Sequence, residues 1–236
     1  MKLAEVMKEL KSLGNPQTVK TYRRHGADGP MFGVKIGDLK KLLRKIKNDQ
    51  SLAMQLWDTG NSDAMYLASL VADGSQMTKT QLNAWAKTAW WYMLSGYAVP
   101  FVAAEHRDAT SIAMKWINSK KKEHIASAGW STYSLVMATR DDSELDRDEI
   151  KSLLKQVEKE IENAPNRVRY CMNGFVISVG TYVKPLLRTA KATAKRIGKV
   201  HVEMGDTACK VPLATDSIEK IESMGRLGAK RKSTKC

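Results

Sequence analysis

The sequence predicts an all-α fold, a solenoid of stacked antiparallel helix pairs with one concave, basic face. Three observations carry the prediction. Apolar residues recur at helical spacing along almost the whole chain. Small residues and aromatics recur together on three of the helices. Basic and acidic residues occupy different stretches rather than mixing.

Periodicity places helices at 2–13, 16–25, 36–49, 50–58, 62–73, 78–93, 94–104, 107–119, 121–138, 146–163, 165–181 and 183–197. Only Val200–Met204 approaches the alternation of a strand. The breaks carry helix punctuation. Pro16 and Pro165 sit where a first helical turn tolerates a missing N–H. Gly14, Gly26, Gly74 and Gly198 are predicted C-terminal caps, and Thr78 and Asp146 predicted N-caps.

Short loops between helices of this length imply antiparallel neighbours. The second observation is a loose repeat: SDAMYLASLVAD (62–73), HIASAGWSTYSLVMA (124–138) and RVRYCMNGFVISVG (167–180). Small residues let such helices approach closely, and a pair every 35 to 45 residues or so is the spacing of HEAT-like arrays. The expected organisation is a HEAT-like repeat superhelix over 1–200, a C-terminal extension over 201–224 packed on or near it, and a basic, disordered tail over 225–236.

The third observation concerns charge. The chain of 236 residues carries a formal net charge of +14, which points toward a polyanion. Between Ala164 and Val202 lie eight basic residues and no acid: Arg167, Arg169, Lys184, Arg188, Lys191, Lys195, Arg196 and Lys199. Lys191, Lys195 and Lys199 repeat every four positions with Arg188 one turn earlier, which makes one stripe on a helix. Asp141–Glu162 holds nine acids against four basic residues, and that helix is expected to face away from a polyanion. Lys20–Lys47 and the tail, with Arg226, Lys230, Arg231, Lys232 and Lys235, are further basic zones. The expected partner is double-stranded DNA, damaged or structured, held by its phosphates with salt-sensitive affinity. The alternative is a merely solvated basic surface, which the uneven placement of the charge disfavours.

Other function classes find no support. There is no apolar run of membrane-spanning length and no apolar core of a signal peptide at MKLAEVMKELKSLG. Phosphate-loop, dinucleotide and HExxH motifs are absent, and the histidines at 25, 106, 124 and 201 are scattered, so no cofactor or metal is expected. Cys171, Cys209 and Cys236 form no CxxC and are odd in number, which fits a reducing compartment: the expected location is cytoplasmic, with the nucleoid if the source is a bacterium. Cys209, in GDTACKVP, reads either as a thiolate activated by Lys199 and Lys210 or as an idle thiol. A monomer is expected.

Aromatic residues are the most informative feature. Trp85, Trp90 and Trp91 cluster in NAWAKTAWWYMLSGYAVP (83–100). Neighbours on a helix point about 100° apart, so Trp90 and Trp91 are expected to face different surroundings. The segments MFGVKIGDLKKLLRKI (31–46), LAMQLWDTGNSDAMYLASLVAD (52–73), AKTAWWYMLSGYAVPFVA (86–103) and AMKWINSK (113–120), in this order and spacing, resemble the AlkD-like DNA alkylation repair family. These are HEAT-like repeat DNA glycosylases and their relatives, and the resemblance covers about residues 15–197. It implies excision of cationic N3- or N7-alkylated purines without base flipping. In that chemistry two tryptophans and an aspartate contact the lesion's sugar, and the carboxylate steadies the developing positive charge.

Transferred position by position, the resemblance puts the first tryptophan at Trp91, the aspartate at Ser95 and the second tryptophan at Phe175, after Gly174. The alternative register, with Trp90 in the tryptophan role, places Leu94 at the aspartate position. A backbone-gripping arginine falls at Ala126, or with a gap onto Lys120, Lys121 and Lys122. A hydroxyl at Ser95 supplies no negative charge. Two functions therefore stand open. One is a glycosylase with an altered site, with Ser95 in the aspartate place or another acid such as Asp58 or Asp63 brought near by folding. The other is a relative that binds branched, bent or damaged DNA without excising a base. A protein-binding scaffold is a third reading, which the positive charge disfavours.

Overall fold

The computed structural model describes residues 1–46, 48–119 and 122–235. Lys47, Lys120, Lys121 and Cys236 lie outside that set. The described residues form thirteen α-helices and no strand. They are α1 (Leu3–Leu13), α2 (Pro16–Arg24), α3 (Ile36–Leu43), α4 (Gln50–Asp58), α5 (Ser62–Val71), α6 (Lys79–Thr88), α7 (Val99–Ala103), α8 (Ala109–Ile117), α9 (Glu123–Thr139), α10 (Arg147–Glu160), α11 (Asn166–Tyr182), α12 (Leu187–Ile197) and α13 (Ala214–Ser223). A π-helical segment, Leu94–Ala98, runs directly into α7.

Local chemistry starts these helices. Asn15 and Asn61 accept from the first free N–H groups of α2 and α5, Asp49 caps α4, and Asp146 caps α10 through Asp148 and Glu149. Thr78 and Gln81 bond reciprocally at the start of α6, a capping box. Pro16 opens α2, whereas Pro165 is the residue before α11. Gly26 and Gly198 end helices with positive φ. Gly74 has another purpose: it lies against the Val102 backbone, where a Cβ would collide.

The helices form two layers. In one, α5, the π-segment with α7, α9, α11 and α13 are successive neighbours. Behind them lie α4, α6, α8, α10 and α12, with α1 and α3 closing the first end against α5. This is the HEAT-like arrangement of helix pairs. One apolar cluster fills residues 6–128 and a second fills residues 104–218, meeting along α9. Every residue of α5 is buried, so its sequence shows no polar face. Trp57 and Trp85 stack at 4.1 Å in the first cluster.

The structure departs from the predicted helices at two ends and adds one helix. The third helix stops at Leu43 rather than 49, since the chain tightens through Lys45 and Ile46 before Asp49 starts α4. The sixth stops at Thr88, so Trp90 and Trp91 stand in a connection and the argument from helical spacing does not apply to them. Their indole N–H groups explain the break: Trp90 donates to Gly60 O and Trp91 to His25 O, tertiary bonds that override local propensity. The extension contains a helix, α13, packed on α11 and α12.

The tail, expected as a loose arm, is bound along the ends of three helices. Gly228 N donates to Thr181 O in α11, and Arg231 N and Lys230 Nζ donate to Ala138 and Met137 O in α9. Lys235 Nζ donates to Ala72 O at the end of α5 and pairs with Glu105 at 3.2 Å. Free carbonyls make each of these termini a seat for a donor, and at the ends of α9 and α5, where the helix dipole is negative, a lysine ammonium takes it. Part of the tail's charge is thereby spent within the molecule.

Candidate nucleic-acid interface

The connection after α6 and the N-terminal turns of α9 and α11 surround a cleft. Trp90, Trp91, Tyr92 and Ser95 line one side, Glu123 and His124 of α9 another, and Asn166 and Arg167 of α11 a third. Trp91 is only 6% exposed. Tyr22 lies 5.0 Å from its ring and Tyr92 meets it edge-on at 5.3 Å. Trp90 is nearly parallel to Trp91 at 6.3 Å and half-buried. The two tryptophans therefore flank one cleft. Tyr22, which donates to Val34 O, has its phenol pushed up to about 12, chiefly by burial.

The extension completes the cleft. Asn166 exchanges two hydrogen bonds with the Glu203 backbone, 2.9 and 2.7 Å long. Asp206 N then donates to Arg24 O at the end of α2, and its carboxylate meets Arg24 at 3.6 Å. Gly205, with φ 78°, sits so close to Arg24 O that no side chain fits. Residues 203–206 thus tie α11 to α2 across the cleft and place Glu203 and Gly205 in its lining. Sequence reading left these residues out; the Gly-Asp turn was their signal.

Two cleft residues bear charge of opposite sign. Arg167 lies 4.1 Å over the Tyr92 ring, a cation–π contact, and its backbone N–H donates to the Glu123 carboxylate. Glu123, an acid that sequence reasoning did not single out, stands in the same lining as Ser95. The His124 imidazole is held below its ordinary range, first by burial and then by nearby Lys122, so it is neutral at physiological pH.

Of the residues transferred from the family, Trp91 and Ser95 meet in this cleft, and Ser95 is 3% exposed with its N–H on Trp91 O. Phe175 does not join them. It is 0% exposed and packs edge-on to Trp130 at 5.1 Å and Tyr133 at 5.7 Å. As a core side chain it has no face to offer a deoxyribose. Asp58 is exposed on α4 outside the cleft lining. Asp63 is a structural anchor: it accepts from Phe32, Gly33 and Val34 N–H at 2.6, 3.0 and 3.0 Å, and burial raises its carboxyl above the usual range despite them. Neither acid replaces the lost one.

The basic residues divide by place. Lys122 joins Lys87 and Lys115 around an open groove beside α9, with no acid among its described lining residues. Lys120 and Lys121 fall outside the described residues. Arg167 and the half-buried Arg169 are on α11. Lys184 lies along Gly228 of the tail. On α12, Arg188, Lys195 and Lys199 are exposed near or on the helix, but Lys191 pairs with Glu222 of α13 and Arg196 with Glu158 of α10 at 2.7 Å. None of the α12 residues reaches the cleft. Cys209 is exposed and Cys171 is buried. No helix among the described residues is long and apolar enough to cross a membrane.

The comparisons with known proteins agree with this architecture. A family model described as DNA alkylation repair enzyme matches residues 6–198. Uncharacterized proteins of Listeria innocua and Listeria monocytogenes are each 37% identical over 218 residues, covering 90% of this chain and 93% of theirs. A solved structure, described as from a new family of proteins related to the HEAT-like repeat DNA glycosylases with affinity for branched DNA structures, superimposes with a TM-score of 0.91. It is 38% identical, and the match covers 100% of both chains. The chain belongs to the DNA alkylation repair enzyme family.

Proposed function

We propose that this protein binds branched or otherwise distorted DNA through the tryptophan cleft and the adjoining lysine groove, without excising a base. The observation that carries the reading is the state of the two transferred positions. The resemblance assigns the acid's place to Ser95, which is buried, and the second aromatic's to Phe175, which is closed inside the core. Removing an electrostatic stabiliser of this kind costs on the order of 10²–10³ in rate. The grip on the backbone needs neither residue. The solved relative at 38% identity, described by its affinity for branched DNA, supports the same choice.

The test is a salt series of affinities for a four-way junction and a linear duplex of equal length, with base release from methylated duplex measured in parallel. Tighter junction binding is expected, with no release of methylated purines. Replacing Lys87, Lys115 and Lys122 with Gln should flatten the salt dependence by roughly one unit of slope per lost phosphate contact, while replacing Arg188, Lys195 and Lys199 leaves it nearly unchanged. Equal affinity for junction and duplex would overturn the reading.

Excision of cationic alkylated purines is the second reading, and Glu123 favours it, since its carboxylate lies in the cleft with Trp90 and Trp91. That chemistry requires release of N3-methyladenine or N7-methylguanine that Glu123→Gln abolishes while DNA binding persists.

A further inference from the structure

We propose that a second cavity, beside the cleft on the wall formed by the π-segment, α9 and α11, receives one uncharged, unpaired nucleobase from bound DNA. The proposal rests on the DNA-binding reading above and names what that site takes in.

The cavity encloses about 200 Å³. That is below the range of sites for drug-sized ligands and suits a single heterocycle. Tyr92, Tyr97 and Tyr170 contribute aromatic surface to its lining. Aromatic faces stack any base, so they offer affinity without sequence preference. Burial raises the phenols of Tyr92 and Tyr97 above their ordinary range, which keeps both neutral, and the Tyr97 hydroxyl bonds that of Tyr170. Serine hydroxyls, which donate and accept, complement the mixed edge of a base. The Ser127 hydroxyl, on a residue only 1% exposed, has no nitrogen or oxygen partner and only the Cys171 thiol beside it. A buried hydroxyl so placed is short of a hydrogen bond that a ligand edge would supply.

Two glycines make the same point independently. Gly96 and Gly174 both line the cavity and both lie within helical segments, where glycine costs stability relative to alanine. Tight packing explains other glycines here. A Cβ on Gly129 would meet Ile117 N at 2.6 Å, and one on Gly180 would meet the Ile218 side chain at 2.6 Å. A Cβ on Gly96 or Gly174 would meet nothing within 4 Å. No neighbour requires their smallness, whereas an occupant of the cavity does.

The charge of the lining selects the occupant. Arg167 and Arg231 line the cavity, and no acid does among its described lining residues. A cationic alkylated purine would be repelled there. A neutral base, with its phosphates drawn to the arginines, is not. Tyr92, Ser95 and Arg167 also line the tryptophan cleft, so three residues border both sites.

The experiment uses the full chain and a four-way junction carrying an unpaired 2-aminopurine at its centre, with an abasic site there as the reference. Wild-type protein should quench the 2-aminopurine and bind the base-containing junction about tenfold more tightly than the abasic one. Gly174→Leu should abolish both effects yet keep the abasic affinity, and Gly96→Ala should weaken them. The melting temperatures of both variants should equal or exceed that of wild type. If wild type binds the junction with no quenching and no preference, the cavity assignment is wrong and the DNA-binding reading stands. If it binds no junction at all, both fall. Lower melting temperatures in both variants would show that the glycines serve packing, which also overturns the proposal. So would equal quenching of free 2-aminopurine nucleotide, because the site would then take a small molecule rather than a base in DNA.

Discussion

Helix α12 and the inner faces of α9 and α11 differ in almost every respect that a sequence displays. Helix α12 is strongly amphipathic, with its cations on one side and Ala190, Thr193 and Ala194 buried on the other. Its charge suggested a nucleic-acid contact, yet Glu222 and Glu158 engage Lys191 and Arg196, and the helix stands in the layer behind the cleft. Helices α9 and α11 are buried on several sides and show little amphipathicity. Ser, Gly and Tyr side chains of these helices border the second cavity, Glu123, His124 and Asn166 border the tryptophan cleft, and Arg167 borders both. Charge density identifies a solvated face; it does not identify a site. A site assembled from single turns of separate elements leaves only a few residues in each.

The sharpest way to break this comparison is at Phe175, the inner-layer residue that the family resemblance placed at the site. As a fully buried ring against Trp130 and Tyr133, it should behave as core. Phe175→Ala is expected to cost about 3–5 kcal/mol in denaturant unfolding. Junction affinity per folded molecule should not change. A loss of affinity with little loss of stability would return Phe175 to the site.

Much of the fold was legible because its signals are local. The caps at Thr78 and Asp146 and the starts of most helices follow from short-range chemistry. Trp91 and Ser95, four residues apart, line one cleft. What escaped depends on distant partners. The connection at Trp90 and Trp91 is set by carbonyls at Gly60 and His25, and the tail is held by helix ends at Thr181, Ala138 and Ala72. No window of sequence contains both members of such a pair. Glu123 was overlooked because an acid in a first helical turn already has a local reason to be there.

The two layers also offer a pair of carboxylates with opposite signs. Asp63, in α5, is buried, and burial is the largest influence on it, so its folded pKa lies above the unfolded value. Between those two values the native state binds the extra proton, and Asp63 adds stability as pH falls through its folded pKa. Asp63→Asn sets an amide N–H₂ against backbone donors from Phe32, Gly33 or Val34, at a cost of about 2–3 kcal/mol. The advantage of wild type over this variant, followed by urea unfolding, should widen as pH is lowered from about 7 toward 4. A gap that narrows would mean that the three N–H bonds outweigh burial.

Glu158, on α10 in the other layer, is the counterpart with the smallest expected effect. Arg196 at 2.7 Å is the leading cause of its lowered pKa, and Thr193 donates to the same oxygen. A lowered folded pKa means that the native state resists protonation. The contribution is therefore complete above the unfolded value, near 4.5, and is lost as pH falls through the lower folded one. Arg196 is more than half exposed and solvent screens the pair, so Glu158→Gln should cost no more than about 0.5 kcal/mol at neutral pH. The difference from wild type should vanish in acid and shrink in molar salt, since the Debye length is then about 3 Å. A larger cost that survives salt would locate the stabilisation in the hydrogen bond to Thr193, itself fully buried, rather than in the ion pair with the α12 stripe.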